Sequence, residues 1–176
     1  MIQSQNQVQK HLITREIGID MGHRVTHHGS KCRNLHGHRY TIQATCEGPL
    51  FEAGEQEGMV LDFGFLKTIM MDEIDAPCDH GMCLWLEDPF VGILVRDLNF
   101  HHECIQKNGY SQITGTNHNN TGGKFYIVPF VPTAENLARH WFERLAPRVL
   151  AETHDQATLK QIKVWETPNC SASYPC

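Results

Sequence analysis

Two long runs with a two-residue hydrophobic period lie close together near the amino terminus, and they restrict the fold more than any other feature. In "LITREIGIDMGHRV" (12–25), Ile13, Arg15, Ile17 and Ile19 take every second position. In "HGHRYTIQATCEGPL" (36–50) the alternation passes through Tyr40, Ile42, Ala44 and Cys46 and stops at Gly48-Pro49. A period of two sends alternate side chains to opposite faces, so each run reads as a half-buried strand. The segment between them, "THHGSKCRN" (26–34), is polar and contains a glycine. The pair is therefore expected to be neighbouring antiparallel strands with a histidine-rich connection.

Further along, the period changes. In "VLDFGFLKTIMMDEIDAP" (60–77), Leu66, Ile69, Met70 and Ile74 fall on one face of a helix, with Asp62 as N-cap and Pro77 as a stop. The segment "PTAENLARHWFERLAPRVLAE" (132–152) opens on Pro132-Thr133 and places Ala134, Leu137, Ala138, Trp141 and Leu145 on one stripe. "LKQIKVWETP" alternates at Ile162, Val164 and Glu166 and reads as a third strand, and "CSASYPC" as a short fourth. The stretch between the helices, 88–131, is the least legible; it holds a short apolar run and then the loop-like "TGTNHNNTGGK", and His101, His102 and His118 within it read as surface residues. The expected fold class is α+β: a four-stranded antiparallel sheet with two helices on one face. Residues 1–11 are expected to form a flexible tail, and 12–176 a single domain with an insertion at about 88–131.

Composition narrows the function. The chain has 176 residues, 40% hydrophobic and 20% charged, with a net charge of −5, which suits one well-buried domain. Its Lys and Arg residues are scattered, so no nucleic-acid partner is expected. No apolar run approaches the ~20 residues that span a bilayer, so no membrane partner is expected either. The opening "MIQSQNQVQKHL" lacks the apolar core of a signal peptide, which makes the cytoplasm the expected compartment. Seven cysteines without a CxxC pair fit reduced thiols better than a disulfide framework.

The chemistry concentrates between residues 23 and 38. His36 and His38, two apart on a strand, leave the same face and can converge on one ion. Three protein ligands with an open fourth position describe the usual catalytic Zn²⁺ site. The third ligand would come from the adjacent strand, where His23 is well placed; His27 and His28 in the loop are competitors. Cys32 is compatible with two roles: a fourth ligand that closes the site, or a thiolate acid–base group off the metal, favoured by Lys31 and Arg33 beside it. Asp79 and His80, in "CDHG", could form an acid–base element or simply end a helix. Glu166 could be a solvated strand end or a two-oxygen acceptor for an amino-pyrimidine edge.

Taken together and in this order, "GHRV…KCRNLHGH", "VLDFGFLK", "CDHG", "PTAENLA" and "KVWETPNC" resemble the 6-pyruvoyltetrahydropterin synthase superfamily. The spacing C-x-x-x-H-G-H is similar to its 6-carboxytetrahydropterin synthase branch, which serves queuosine (7-deazaguanine) synthesis. The resemblance covers roughly residues 13–87 and 131–174. It implies the tunnelling fold, in which subunits pool their sheets into a barrel and two rings stack into a homo-hexamer. It implies Zn²⁺ on His23, His36 and His38, and a proton-transferring Cys32. It implies that His80 with Asp79 assists that cysteine from the adjoining subunit, and that Glu166 anchors a pterin. The implied substrate is 7,8-dihydroneopterin triphosphate, converted to 6-carboxy-5,6,7,8-tetrahydropterin with release of acetaldehyde and triphosphate. The chain departs from the pattern in its longer 88–131 segment and its amino-terminal tail. Triphosphate contacts are not marked by any motif; Arg24, Lys31 and Arg33 are candidates.

Overall fold

In the computed structural model, which describes residues 8–115 and 123–176, the two alternating runs pair along their whole length. β1 (His11–His23) and β2 (His36–Gly48) are antiparallel, with His11 opposite Gly48 and His23 opposite His36. The helical run that follows comprises α1 (Phe63–Met70), a wider π-helical turn (Met71–Asp75) and α2 (Ala76–Cys78). Then come β3 (Gly81–Trp85), α3 (Pro89–Leu94), α4 (Leu98–Asn108), β4 (Ser111–Ile113) and β5 (Phe125–Val128). The chain closes with α5 (Ala134–Glu152), β6 (Thr158–Thr167) and β7 (Cys170–Tyr174).

The sheet corrects the four-stranded expectation. It has seven strands in the order β4-β5-β3-β1-β2-β6-β7. The four anticipated strands form its antiparallel half, while β3 runs parallel to β1 and β5 parallel to β3, with β4 antiparallel at the edge. The physical reason lies in burial. Cys83, Tyr126 and Val128 join the main core, whereas Leu84 and Ile127 join a second cluster with Leu86, Val91, Ile105 and Ile113. β3 and β5 are thus covered on both faces and carry no alternation to read.

The main core forms where α1 and α5 lie against β1, β2 and β6. Ile17, Ile19 and Met21 meet Tyr40, Ile42, Ala44 and Cys46 there, each buried as the alternation requires. Asp62 caps α1 by accepting from Gly64 N (2.5 Å) and Phe65 N (3.3 Å), and Leu66, Ile69, Met70 and Ile74 are all buried. Pro77 does not stop the helix where expected; the run ends one residue later, at Cys78. A proline in a regular helix loses an N–H bond and crowds the preceding turn, and the wider turn ahead of Pro77 leaves room for it. Thr133 caps α5, whose buried stripe runs Leu137, Ala138, Trp141, Leu145 and Val149. His101 corrects another expectation: it is buried and hydrogen-bonded to Ser111 (2.8 Å), while His102 is exposed and His118 lies outside the described residues. Among the described residues, no helix is long and apolar enough to cross a membrane.

Candidate active site

The β1–β2 register creates a histidine cluster. It sets His23 opposite His36, and His38 leaves the same face two residues on. The ring centroids are 4.6 Å (His23–His36), 5.3 Å (His23–His38) and 5.0 Å (His36–His38) apart. One nitrogen from each ring lies within 4.8 Å of the others. The opposite side of this strand pair is tight at Gly22, where a Cβ would come within 2.0 Å of Met82 Sδ.

Hydrogen bonds select which nitrogens remain available. His23 Nδ1 donates to Pro132 O at 2.7 Å and His36 Nδ1 to Asn34 O at 2.8 Å. A carbonyl can only accept, so both rings carry their proton on Nδ1 and present a lone pair at Nε2. His23 Nε2 is buried and has no hydrogen-bond partner. Glu166 Oε1 stands 3.3 Å from it, without hydrogen-bond geometry, and 3.9 Å from His38 Nε2. Burial first, opposed by the Pro132 bond and the Glu166 charge, holds His23 below the ordinary imidazole pKa; burial likewise lowers His38. An orphaned buried ring nitrogen beside two more imidazoles fits a metal ion. His27 and His28 are not part of this group.

Cys32 and Glu166 open onto a cavity of about 250 Å³ together with His23 and His36. Cys32 sits in a short 3-10 turn, Lys31–Arg33, and Val25 N donates to its carbonyl at 2.9 Å. It is half-buried and is not among the three clustered histidines. Glu166 projects from β6, where the buried Tyr40 hydroxyl donates to its Oε1 at 3.3 Å. Sequence reasoning overlooked Tyr40, Glu135 and Cys170. The last two line the same cavity, Glu135 from the first turn of α5 and Cys170 from the start of β7. The "PTAEN" cap motif could have pointed to Glu135; nothing in the sequence marks Cys170.

Asp79 and His80 are placed elsewhere. They do form the anticipated pair, with His80 Nδ1 2.6 Å from Asp79 Oδ2. Asp79 Oδ1 also accepts from Asp20 N at 2.8 Å, and Lys124 Nζ donates to the Asp79 carbonyl at 2.6 Å. Partial burial pushes Asp79 up, but the Asp20 N–H and then His80 outweigh it and leave the carboxyl below its usual range. His80 has a positive φ of 54° and a side chain that is 79% exposed. It borders an open depression with Asp20, Met21, Gly22, Gly37, His38 and Arg39, so His38 of the histidine cluster also reaches it. Asp20, Gly22, Gly37 and Arg39 alternate along β1 and β2 with the three clustered histidines, and the dyad does not line the Cys32 cavity. Arg24 pairs through Nε with the buried Asp88 at 2.9 Å. Lys31 and Arg33 are exposed.

The model of the family described as 6-pyruvoyl tetrahydropterin synthase matches residues 12–175. The chain belongs to that family. A 6-carboxy-5,6,7,8-tetrahydropterin synthase from Haemophilus influenzae is 34% identical over 163 residues, covering 92% of this chain and 96% of that protein. One from Rickettsia conorii is 32% identical over 157 residues, covering 89% and 94%. Among solved structures, an uncharacterised protein from Wolinella succinogenes superposes with a TM-score of 0.70 at 23% identity, over 94% of this chain and 97% of that one. The 6-pyruvoyl tetrahydropterin synthase of Caenorhabditis elegans gives 0.57 at 22% identity, over 95% and 96%. These likenesses place the seven-stranded α+β architecture of this synthase-family chain among solved folds.

Proposed function

We propose that the protein is a zinc-dependent 6-carboxy-5,6,7,8-tetrahydropterin synthase. It would act as a lyase in 7-deazaguanine (queuosine) synthesis, converting 7,8-dihydroneopterin triphosphate and water to 6-carboxytetrahydropterin, acetaldehyde and triphosphate. The observation that carries this reading is the three-histidine group, two of whose members, His23 and His36, share one cavity with an off-cluster thiol and a carboxylate. The names of the bacterial relatives supply the branch. A reducing cytoplasm suits the seven free cysteines.

His23, His36 and His38 would hold the metal, a donor set that suits Zn²⁺. Bound there, the ion supplies Lewis acidity toward the vicinal hydroxyls of the substrate side chain. Glu166 takes two adjacent N–H groups of the flat pterin edge, a matched pair of charge-assisted bonds. Tyr40 fixes the rotamer of that carboxylate from below. Cys32, as thiolate, removes and returns protons on the side chain while Glu166 holds the ring still, and such orientation is worth many powers of ten. Asp79 orients His80, which exchanges protons with Cys32 of an adjoining subunit. That division between chains is supported by Cys32 lining a cavity whose walls include neither Asp79 nor His80. It fits subunits whose sheets join into a barrel, two rings making a hexamer.

Incubating the zinc-loaded protein with dihydroneopterin triphosphate should release acetaldehyde. Formation of pyruvoyltetrahydropterin without acetaldehyde would assign the chain to the pyruvoyl-forming branch. Cys32→Ala should keep zinc and lose turnover, while His36→Ala should lose both. Zinc loss in Cys32→Ala would make the thiol a ligand and the site a structural one.

A further inference from the structure

We infer that Asp88 is a positioning residue for Cys32: its buried carboxylate clamps the loop that runs from the metal ligand His23 to the catalytic thiol. This rests on the proton-transfer role proposed for Cys32.

Asp88 begins α3, and Oδ1 caps that helix by accepting from Phe90 N at 2.8 Å. Capping needs only one oxygen and is done as well by Ser or Asn. The second oxygen has other work. Oδ2 accepts from the Thr26 hydroxyl and faces Arg24 Nε at 2.9 Å, both 62 or more residues back in the chain. The Arg24 contact is electrostatic, since Nε makes no hydrogen bond. The Asp88 side chain is 0% exposed. A carboxylate that far from water is tolerated only when its charge is matched, and Arg24 matches it.

The two clamped residues flank Val25. Its N–H donates to the Cys32 carbonyl at 2.9 Å, and its own carbonyl accepts from His28 N at 2.9 Å. Holding residues 24 and 26 therefore fixes the one backbone N–H that fastens the thiol-bearing turn. That turn, Lys31–Arg33, has no buried residue of its own, so it has no apolar anchor to keep Cys32 in place. The His27 ring lies edge-on to Trp85 at 5.6 Å, a second contact between this loop and the end of β3. The segment that opens at residue 88, which the sequence left without a role, thus begins by bracing the active-site loop.

Asp88→Asn preserves the helix cap and removes the charge, while Thr26→Val removes one hydroxyl and keeps the shape. The measurements are kcat and KM on dihydroneopterin triphosphate, zinc content, and the alkylation rate of Cys32 by iodoacetamide, read on its own peptide by mass spectrometry. Asp88→Asn should lower kcat about tenfold or more, with KM within about twofold, as expected when only the reacting group is misplaced. Zinc content should not change, and the Cys32 alkylation rate should shift by roughly threefold or more as its setting loosens. Thr26→Val should move the same two readouts in the same direction, and it decides the matter should Asp88→Asn not fold. Wild-type kcat in a folded variant overturns the inference, whatever the alkylation rate. So does a loss of zinc that tracks the loss of activity, which would put the role of Asp88 on His23. If the unmodified protein forms no product, the proposed function fails, and the alkylation rates alone decide the clamp: a shift upholds it and wild-type rates overturn it.

Discussion

Tyr40→Phe isolates one hydrogen bond in the pterin anchor. The Tyr40 ring is fully buried and stands edge-on to His23 and His38, at 5.8 Å and 5.7 Å between centroids. Phe keeps that packing and removes only the hydroxyl that donates to Glu166 Oε1 at 3.3 Å. Burial first, and the Glu166 charge second, push the phenol well above its ordinary pKa, so it is a donor at any working pH. A hydrogen bond to a charged group contributes ~1.5–3 kcal/mol. This one is long for an O–H donor, and Glu166, 28% exposed, can recruit water in its place. The loss should therefore sit near 1–2 kcal/mol, roughly a 5- to 30-fold weakening of pterin binding. The assay is the KM for dihydroneopterin triphosphate together with the Kd of a fluorescent pterin, with zinc content measured alongside. KM and Kd should rise together, with kcat within about twofold and zinc unchanged. Wild-type pterin affinity in a folded Tyr40→Phe protein would refute the account of Glu166 as an anchor held by Tyr40.

Two other outcomes follow from the geometry. His140 is buried against Tyr126, 2.6 Å from its hydroxyl, and burial first, then Arg144, lower its pKa to about 3. The unfolded chain takes up this proton near pH ~6.5 while the folded chain does not, so stability should fall as pH drops from there, by up to ~1.4 kcal/mol per unit. Urea midpoints measured between neutral pH and about 4.5 should decline less steeply in His140→Gln; an identical slope would remove this residue from the acid sensitivity. Separately, Cys32→Ala and His80→Ala should each be inactive, yet regain about a quarter of wild-type activity when dissociated together and reassembled, because mixed assemblies build some sites from two intact contributions. No recovery from confirmed mixed assemblies would place a complete site within each chain.

The parts of the fold that were legible share one property: a single face of each element is buried. Ile17 and Ile19, Tyr40 and Ile42, and the α5 stripe from Leu137 to Leu145 all show their period because the other side meets water or polar neighbours. β3, "GMCLW", and β5, "FYIV", are sandwiched between two apolar clusters and have no such contrast. Their parallel pairing also joins residues far apart in sequence, which local pattern does not record. At the site, His36 and His38 were readable from spacing, and the β1–β2 register decided for His23 over His27 and His28. Asp88 gave no sign beyond a helix cap, because its second oxygen acts on a segment more than sixty residues away.

Strand alternation also sorts the residues around the histidine cluster. His23, His36 and His38 occupy one set of alternate positions on β1 and β2; Asp20, Gly22, Gly37 and Arg39 occupy the other. Asp79 accepts from the backbone N–H of Asp20 at the edge of β1 that pairs with β3, while Cys32 is tied through Val25 to the loop between β1 and β2. A one-residue slip between β1 and β2 would carry His36 and His38 away from His23, so the thirteen paired residues on each strand hold the histidine cluster together as well as the core. Recovery of activity in mixed Cys32→Ala and His80→Ala assemblies would show that an adjoining chain supplies the dyad, and its failure would place both groups at one site within a chain.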